Sequence, residues 1–305
     1  MAKLTDEQFS AYLAEAKAKL SAELPIAAEK KINYGYQYTM KLAEAKLTLN
    51  IYNGKKGLNI VYSGDSALAE RAAALLEGRK AQAAAPATFV TDGLWAGSDE
   101  SGKGDFFGSL VVAAVVVDNT TADKLRAAGV KDCKLLTDKK ILELEDIIKA
   151  SVVDYSVLEL KPRVYNLRYE QVAAQGGKLN QLLGYGHVAA LSKVLEKHED
   201  CHSALIDQFT TSMVNIRALK QRFPQCDVRQ QPKAESNLAV AAASVLARAQ
   251  FLHTMAALAA EAGVQELPKG GGAQATACAR ELAAKYGKEA LRNYVKLHFA
   301  NYQRV

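Results

Sequence analysis

No continuous run of apolar residues in this sequence is long enough to cross a bilayer. The longest, Leu110–Val117, has 8 residues, whereas a spanning helix needs about 20. No apolar core follows Met1-Ala2-Lys3-Leu4-Thr5-Asp6-Glu7, so neither a secretory leader nor membrane association is expected. Cysteine is scarce: 4 residues, Cys133, Cys201, Cys226 and Cys278, with no C-x-x-C pair. That excludes a zinc knuckle and a disulfide framework and makes reduced thiols and a cytoplasmic location the expectation. What is present is ordinary for a globular protein, with 49% hydrophobic and 24% charged residues in a chain of 305. At roughly 150 residues per domain this length suggests two domains. The net charge of +6 permits a polyanionic partner.

Thr5-Asp6-Glu7-Gln8 has capping-box spacing and opens a helix whose apolar stripe is Leu4, Phe9 and Leu13, with Pro25 marking the exit. Three strand-like segments follow: Tyr34, Tyr36, Tyr38 and Met40 alternate with polar or small residues, then Leu47, Leu49 and Ile51, then Leu58, Ile60 and Tyr62. Asn53-Gly54 reads as the turn between the last two. A helix over 66–77 and a linker over 79–86 complete a helix–sheet–helix unit. Beyond residue 89, strands at 93–99, 110–117, 152–160 and 204–209 mix with helices at 179–196, from 236, and after Gly272, which argues for an α/β domain.

The chemistry concentrates in Gly97-Ser98-Asp99-Glu100-Ser101-Gly102-Lys103-Gly104-Asp105-Phe106-Phe107-Gly108. Gly97, Gly102 and Lys103 satisfy G-x-x-x-x-G-K, but Gly104 replaces the hydroxyl residue and a β-branched run follows, so this is no P-loop. The dinucleotide fingerprint fails by one residue and by the same missing helix. Asp99 and Glu100 end an apolar strand. Neighbours on a strand face opposite ways, so both serve one site only if the strand stops there and the chain turns at Ser101-Gly102. Asp207 lies inside the short apolar strand Ser203-Ala204-Leu205-Ile206-Asp207-Gln208-Phe209, which is costly for a carboxylate without a partner or a metal. Glu235 precedes the helix carrying Leu238, Ala241 and Val245. Taken singly, each acid also fits a blander role: a solvated turn, a strand-end cap or a helix-dipole partner. Brought together they repel by about 4 kcal/mol per pair at 4 Å and an effective dielectric of about 20, so they ionise jointly only around cations. Oxygen ligands suit magnesium or manganese, and paired ions are the usual device for displacement at phosphorus.

The same segment resembles the signature of bacterial ribonuclease HIII, a family of type 2 ribonucleases H. So do Val130-Lys131-Asp132-Cys133-Lys134, Lys178-Leu179-Asn180 with Gly186-His187, Leu205-Ile206-Asp207-Gln208-Phe209, Lys233-Ala234-Glu235-Ser236 with Ala241-Ala242-Ala243-Ser244, and Lys296-Leu297-His298-Phe299. The motifs occur in family order from about residue 93 to the end. The resemblance implies a ribonuclease H-like mixed sheet with flanking helices (89–305). Before it would stand a small TATA-binding-protein-like α+β domain (1–88) that binds substrate. It implies endonucleolytic cleavage of the RNA strand of RNA–DNA hybrids, with 5′-phosphate and 3′-hydroxyl products, two Mg2+ or Mn2+ ions held by Asp99, Glu100, Asp207 and Glu235, and no obligate protein partner. Gly102, Lys103 and Gly104 align with the loop that contacts ribose 2′-hydroxyls, and Lys134 and Lys233 would meet phosphates. Three positions depart from the family pattern: Ser109 stands for proline, Cys133 for serine, and Leu135 for a frequent lysine. The phosphate-contacting hydroxyl is thus missing at 133 while the charge of Lys134 remains.

Other residues carry two readings. His187 lies on a stripe with Leu183, Ala190, Leu191 and Val194, as a packed or a chemical histidine. His198 and His202 read as a polar turn, and His298 as packed. Tyr34, Tyr36 and Tyr38 are either stacking platforms or core. Lys46, Thr48, Asn50 and Tyr52 form a polar face, solvated or substrate-bound. Residues 1–90 carry 12 Lys and Arg against 9 Asp and Glu, mildly favouring a binding unit. The rivals to a nuclease are a non-catalytic nucleic-acid binder on the same fold and a nucleotide triphosphatase.

Overall fold

A computed structural model describes residues 3–42, 45–54, 57–77, 89, 91–210, 212–232 and 234–305. It contains two compact units, Met1–Thr88 and Phe89–Val305. The expected linker 79–86 lies outside the described residues.

The first unit begins with α1 (Asp6–Ser21), capped reciprocally as its sequence requires: Gln8 N donates to Thr5 Oγ1 at 3.3 Å and Thr5 N to Gln8 Oε1 at 3.0 Å. An antiparallel meander follows, β1 (Ile26–Ile32), β2 (Gly35–Leu42), β3 (Ala45–Gly54) and β4 (Gly57–Gly64), then α2 (Ser66–Glu77). This is one strand more than the alternation revealed. β1 is an edge strand with most of its residues exposed, and an edge needs no apolar alternation. Asn53-Gly54 is not the expected turn, because Asn53 pairs with Leu58 and Gly54 with Gly57 inside the ladder. Asn53 is occupied elsewhere: it accepts from Leu4 N at 3.0 Å and donates to Leu4 O at 2.9 Å.

Leu47, Leu49 and Ile51 pack with Tyr38, Met40, Leu20 and Leu24 into this unit's core. The three tyrosines divide. Tyr38 is core, its hydroxyl pushed up to about 12 by burial. Tyr36 is half-buried against the core, and Tyr34 is 75% exposed in a left-handed turn conformation (φ 63°). On the opposite sheet face Thr39, Gln37 and Lys41 pair with Thr48, Asn50 and Lys46, and Lys30 pairs with Gln37. Glu29 pairs with Tyr38 on the core side, where Lys17 holds it at 2.6 Å. The open face thus carries three lysines and, among its described residues, no carboxylate.

The second unit is built on a five-stranded mixed sheet, β5 (Leu94–Ser101), β6 (Leu110–Val117), β7 (Asp154–Leu160), β8 (Cys201–Asp207) and β9 (Asp227–Gln231), in the order β7-β6-β5-β8-β9. β5, β6 and β7 are antiparallel, and β8 and β9 add in parallel. Every residue of β6 is buried, because both faces are covered. Val111, Ala113, Val115 and Val117 join one core, Val112, Ala114 and Val116 the other. The helices are α3 (Asn119–Ala127), α4 (Asp138–Ser151), α5 (Pro162–Ala174), α6 (Leu179–Leu195), α7 (Val214–Arg222), α8 (Leu238–Ala262), α9 (Ala273–Tyr286) and α10 (Ala300–Gln303). α8 packs against the first face and α6 against the second. By length and composition α8 could cross a membrane, which counting uninterrupted apolar runs overlooked. Here its surface is spent on the core. α3, α4, α5, α7 and the polar edge strand β9 were not anticipated. In α4 the signal was present, since Ile141, Leu144 and Ile148 are its buried stripe.

Candidate active site

β5 carries the first two acids, and its course corrects the sequence reading. The strand does not stop at Asp99. Asp99, Glu100 and Ser101 pair with Ala113, Val112 and Val111, and the backbone breaks only at Gly102, whose φ is +85° and whose added Cβ would sit 2.1 Å from Ser109 O. Asp99 and Glu100 therefore occupy opposite faces of a continuing strand. Glu100 shares the face of Ser98, toward α6. Asp99 shares that of Gly97, toward α8. They meet because the strand end is a rim: both line one cleft of roughly 470 Å³ with Asp207, Lys103, Gly104 and Lys134.

Asp207 arrives because β8 runs parallel to β5, with Ile206 opposite Ser98, so its last residue ends beside theirs. Asp207 Oδ1 accepts from Ala234 N at 3.1 Å, which draws in the short 3-10 turn Ala234–Ser236 holding Glu235. Asn237 then caps α8 by accepting from Ala239 N. Asp99, Glu100 and Asp207 thus reach one cleft from two parallel strands, and Glu235, at the helix entrance, is close enough to Asp207 to raise its carboxyl.

Their charges are unevenly settled. Asp99 is only 7% exposed. Burial, then the neighbouring charge of Glu100 and that of Asp207, hold its carboxyl well above the usual range. Burial, followed by Glu235 and Glu100, also raises Asp207. Glu100 goes the other way: burial would raise it, but His187 and Lys103 outweigh that and lower it. Burial pulls Lys134 down, and the acids Asp132, Asp99, Glu235 and Asp207 more than offset it.

His187, ambiguous in sequence, is both packed and chemical. It is fully buried, stacked on Phe209 with centroids 4.8 Å apart. A carboxylate has no proton to give, so Nε2 donates to Glu100 Oε2 (3.1 Å), while Nδ1 lies 2.9 Å from Ser98 Oγ. Lys103 Nζ lies 3.4 Å from the other Glu100 oxygen and over the Phe209 ring. Glu100 is therefore aimed by two partners. His187→Ala should lower kcat by about 10–100-fold, the usual cost of losing a group that orients a ligand, while KM for substrate holds. Steady-state kinetics separate the two, and an unchanged kcat would refute the orienting role.

The remaining predicted residues separate. Gly102 is required by its backbone, but Gly104 faces open space with nothing within 4 Å of an added Cβ. Lys134 is mostly exposed beside the acids. Lys233 lies outside the described residues. The Cys133 amide donates to Ser244 Oγ at 3.2 Å, and burial raises its thiol pKa. Leu135 is exposed. His198 bonds Asp154 in a turn (3.3 Å), and His298 stacks on Tyr169. Sequence reading missed Arg248, which lines the same cleft and pairs with Asp138 at 3.1 Å. A positive charge within the mostly apolar first half of α8 was its signal.

Among the described residues, no three His, Cys, Asp or Glu side chains are placed to close on one ion. The donor set nevertheless fits a hard cation. It consists of carboxylate oxygens, and two of them are held above their normal range by burial and mutual charge, a penalty that a divalent ion relieves.

The ribonuclease HII family model matches residues 96–302. Ribonuclease HIII of Protochlamydia amoebophila is 38% identical over 203 residues, covering 67% of this chain and 65% of that protein. The chain thus spans just under two thirds of that relative. Ribonuclease HIII of Chlamydia pneumoniae is 38% identical over 211 residues, covering 68% of this chain and 69% of its own length. Among solved structures, Bst-RNase HIII in complex with Mn2+ superposes with a TM-score of 0.64 at 28% identity, covering 94% of each chain.

Proposed function

We propose, since this chain belongs to the ribonuclease HII family and within it to the ribonuclease HIII group, that it cleaves the RNA strand of RNA–DNA hybrids endonucleolytically, leaving 5′-phosphate and 3′-hydroxyl ends. The observation that carries this reading is the convergence of Asp99, Glu100 and Asp207 on one cleft, with Glu235 close enough to raise Asp207.

In this reading the four carboxylates hold two divalent ions, magnesium or manganese. When bound, such ions supply water activation and charge neutralisation at the departing 3′ oxygen. The chain's own residues do the rest. His187 and Lys103 keep Glu100 ionised and aimed. Lys134 meets a phosphate as a point charge that positions without reading sequence. The peptide groups of Gly102, Lys103 and Gly104 approach the ribose 2′-hydroxyl, the group that separates RNA from DNA. The open space beside Gly104 supports that approach, since no neighbour in this chain requires a glycine there.

The test is incubation of labelled uniform hybrid, and of a duplex with a single ribonucleotide, with Mg2+ or Mn2+. Products from the hybrid support the reading. A shifted but uncut band would favour the pure binder, and ATP hydrolysis would revive the triphosphatase.

The Met1–Thr88 unit is proposed to bind substrate, supported by the lysines and the lack of described carboxylates on its open sheet face. Removing residues 1–88 should weaken hybrid binding and flatten its salt dependence. Each lost phosphate contact should remove roughly 0.9 from the log–log slope on duplex. Salt titrations of affinity measure this, and an unchanged slope would dispose of it.

A further inference from the structure

Lys296 is among the largest fully buried side chains in the protein, at 0% exposure. Among the described residues, no carboxylate bonds its ammonium. Nζ donates to three backbone carbonyls of the glycine-rich segment instead: Asp105 O (2.9 Å), Gly108 O (2.8 Å) and Phe107 O (3.4 Å). It also lies over the Tyr165 ring, 5.5 Å from its centroid. Burying a cation is costly unless hydrogen bonds satisfy it, and an apolar side chain would fill the same space without that cost. Packing alone does not account for a lysine here.

The surrounding main chain shows what the ammonium grips. Lys296 N donates to Phe106 O at 2.8 Å, and Gly108 N to Tyr294 O at 3.0 Å. Asp105 Oδ1, within the same segment, accepts from Gly270 N at 2.6 Å. The C-terminal stretch doing this is itself pinned from α5: Asn166 accepts from Leu297 N and donates to Val295 O, both at 2.9 Å. On the other side, Asp105 N donates to Gly102 O at 3.3 Å, closing the Gly102–Asp105 turn. One end of that turn is thus Asp105, whose carbonyl is held by Nζ. A continuous set of bonds runs from Lys296 through Asp105 to Gly102, the two ends of the turn that carries Lys103 and Gly104.

We propose that Lys296 is a positioning residue for RNA recognition: by holding the carbonyls of Asp105, Phe107 and Gly108 inward, it sets the direction in which the Gly102–Gly104 peptide groups face the ribose. The proposal rests on the assignment of that loop to the 2′-hydroxyl. Lys296 touches no substrate. It acts through the loop, so its loss shows in binding of hybrid rather than in the chemical step.

The experiment compares wild type, Lys296→Met and Lys296→Arg in the full chain. Steady-state kinetics on uniform hybrid are measured with Mg2+. Affinities for hybrid and for DNA duplex are measured in an Asp99→Asn background. Lys296→Met should raise KM about tenfold with kcat little changed, on the scale of one lost hydrogen bond. It should cut the preference for hybrid over DNA duplex by a similar factor while DNA affinity holds. Lys296→Arg, which keeps the donors, should recover most of that preference. A folded Lys296→Met protein with wild-type preference overturns the proposal. Should Lys296→Met fail to fold, Asn166→Ala loosens the same C-terminal stretch, and an unchanged preference there overturns it equally. If wild type itself shows no preference for hybrid, it is the assignment of the loop, and with it the functional reading, that fails.

Discussion

Asp99→Asn should abolish cleavage and yet melt no lower than wild type in the absence of divalent ions. Activity is expected to fall by at least ~10³-fold, about 4 kcal/mol of transition-state stabilisation, because on the proposed reading the change removes one of the charged groups that hold the ions. The stability expectation comes from the same environment. Burial, Glu100 and Asp207 raise the Asp99 carboxyl well above its ordinary value. A carboxyl raised on folding contributes stability only while protonated. Wild-type stability therefore declines as pH climbs from the usual carboxylate range through the raised value. Asparagine has no proton to lose, so the variant's stability should decline less over that range, keeping only the part set by Asp207. With Mg2+ or Mn2+ added, wild type should gain more than the variant, since ligand binding stabilises the state that binds. Thermal melts across pH with and without metal, beside a cleavage assay, measure all three effects. Retained magnesium-dependent cleavage by the purified variant would refute the assignment. So would a large loss of melting temperature without metal.

Gly97→Ala should be among the most damaging single methyls in the second unit. A Cβ there would stand 2.3 Å from Val240 N and 2.5 Å from Ala239 C. Both are backbone atoms in the first turn of α8, so no rotamer change relieves the clash, and helix and strand must separate. Overpacking with backbone shifts costs roughly 3 kcal/mol or more, or about 6–12 °C in melting temperature for a unit of this size. Activity of the folded fraction should fall as well. Glu235 lies three residues before α8 begins, so displacing the helix start moves it from Asp207. Thermal and urea melts check the first effect, and activity at low temperature the second. A melting temperature within a degree or two of wild type would show that α8 does not bear on β5 as described.

Much of this protein is legible before any coordinates. The capping box of α1, the buried β6 and the α2 boundaries follow from local patterns because local physics decides them. The acids were legible for a different reason: a carboxylate beside or inside an apolar strand is costly, so Asp99, Glu100 and Asp207 stand out. The misreadings share one physical cause. Edge strands β1 and β9 need no alternating pattern, so none was written. Asn53 has the chemistry of a turn residue, but Leu4, distant in sequence, engages both its side-chain donor and acceptor. The strand was expected to end at Asp99 to bring two acids to one site, whereas the sheet lets it run on and joins them at its rim.

Composition and motif determined by themselves which residue types would do chemistry and in what order along the chain, because the cost of burying charge and the chemistry of oxygen ligands belong to the residues. Only the folded chain decided how they act together. Parallel pairing of β8 with β5 sets Asp207 beside Asp99, the Gly97 contact seats the start of α8, and His187 settles on Glu100 from a helix 87 residues away in sequence. Convergence of that kind comes from sheet order and helix packing, which depend on contacts between distant segments and leave no mark in any local stretch.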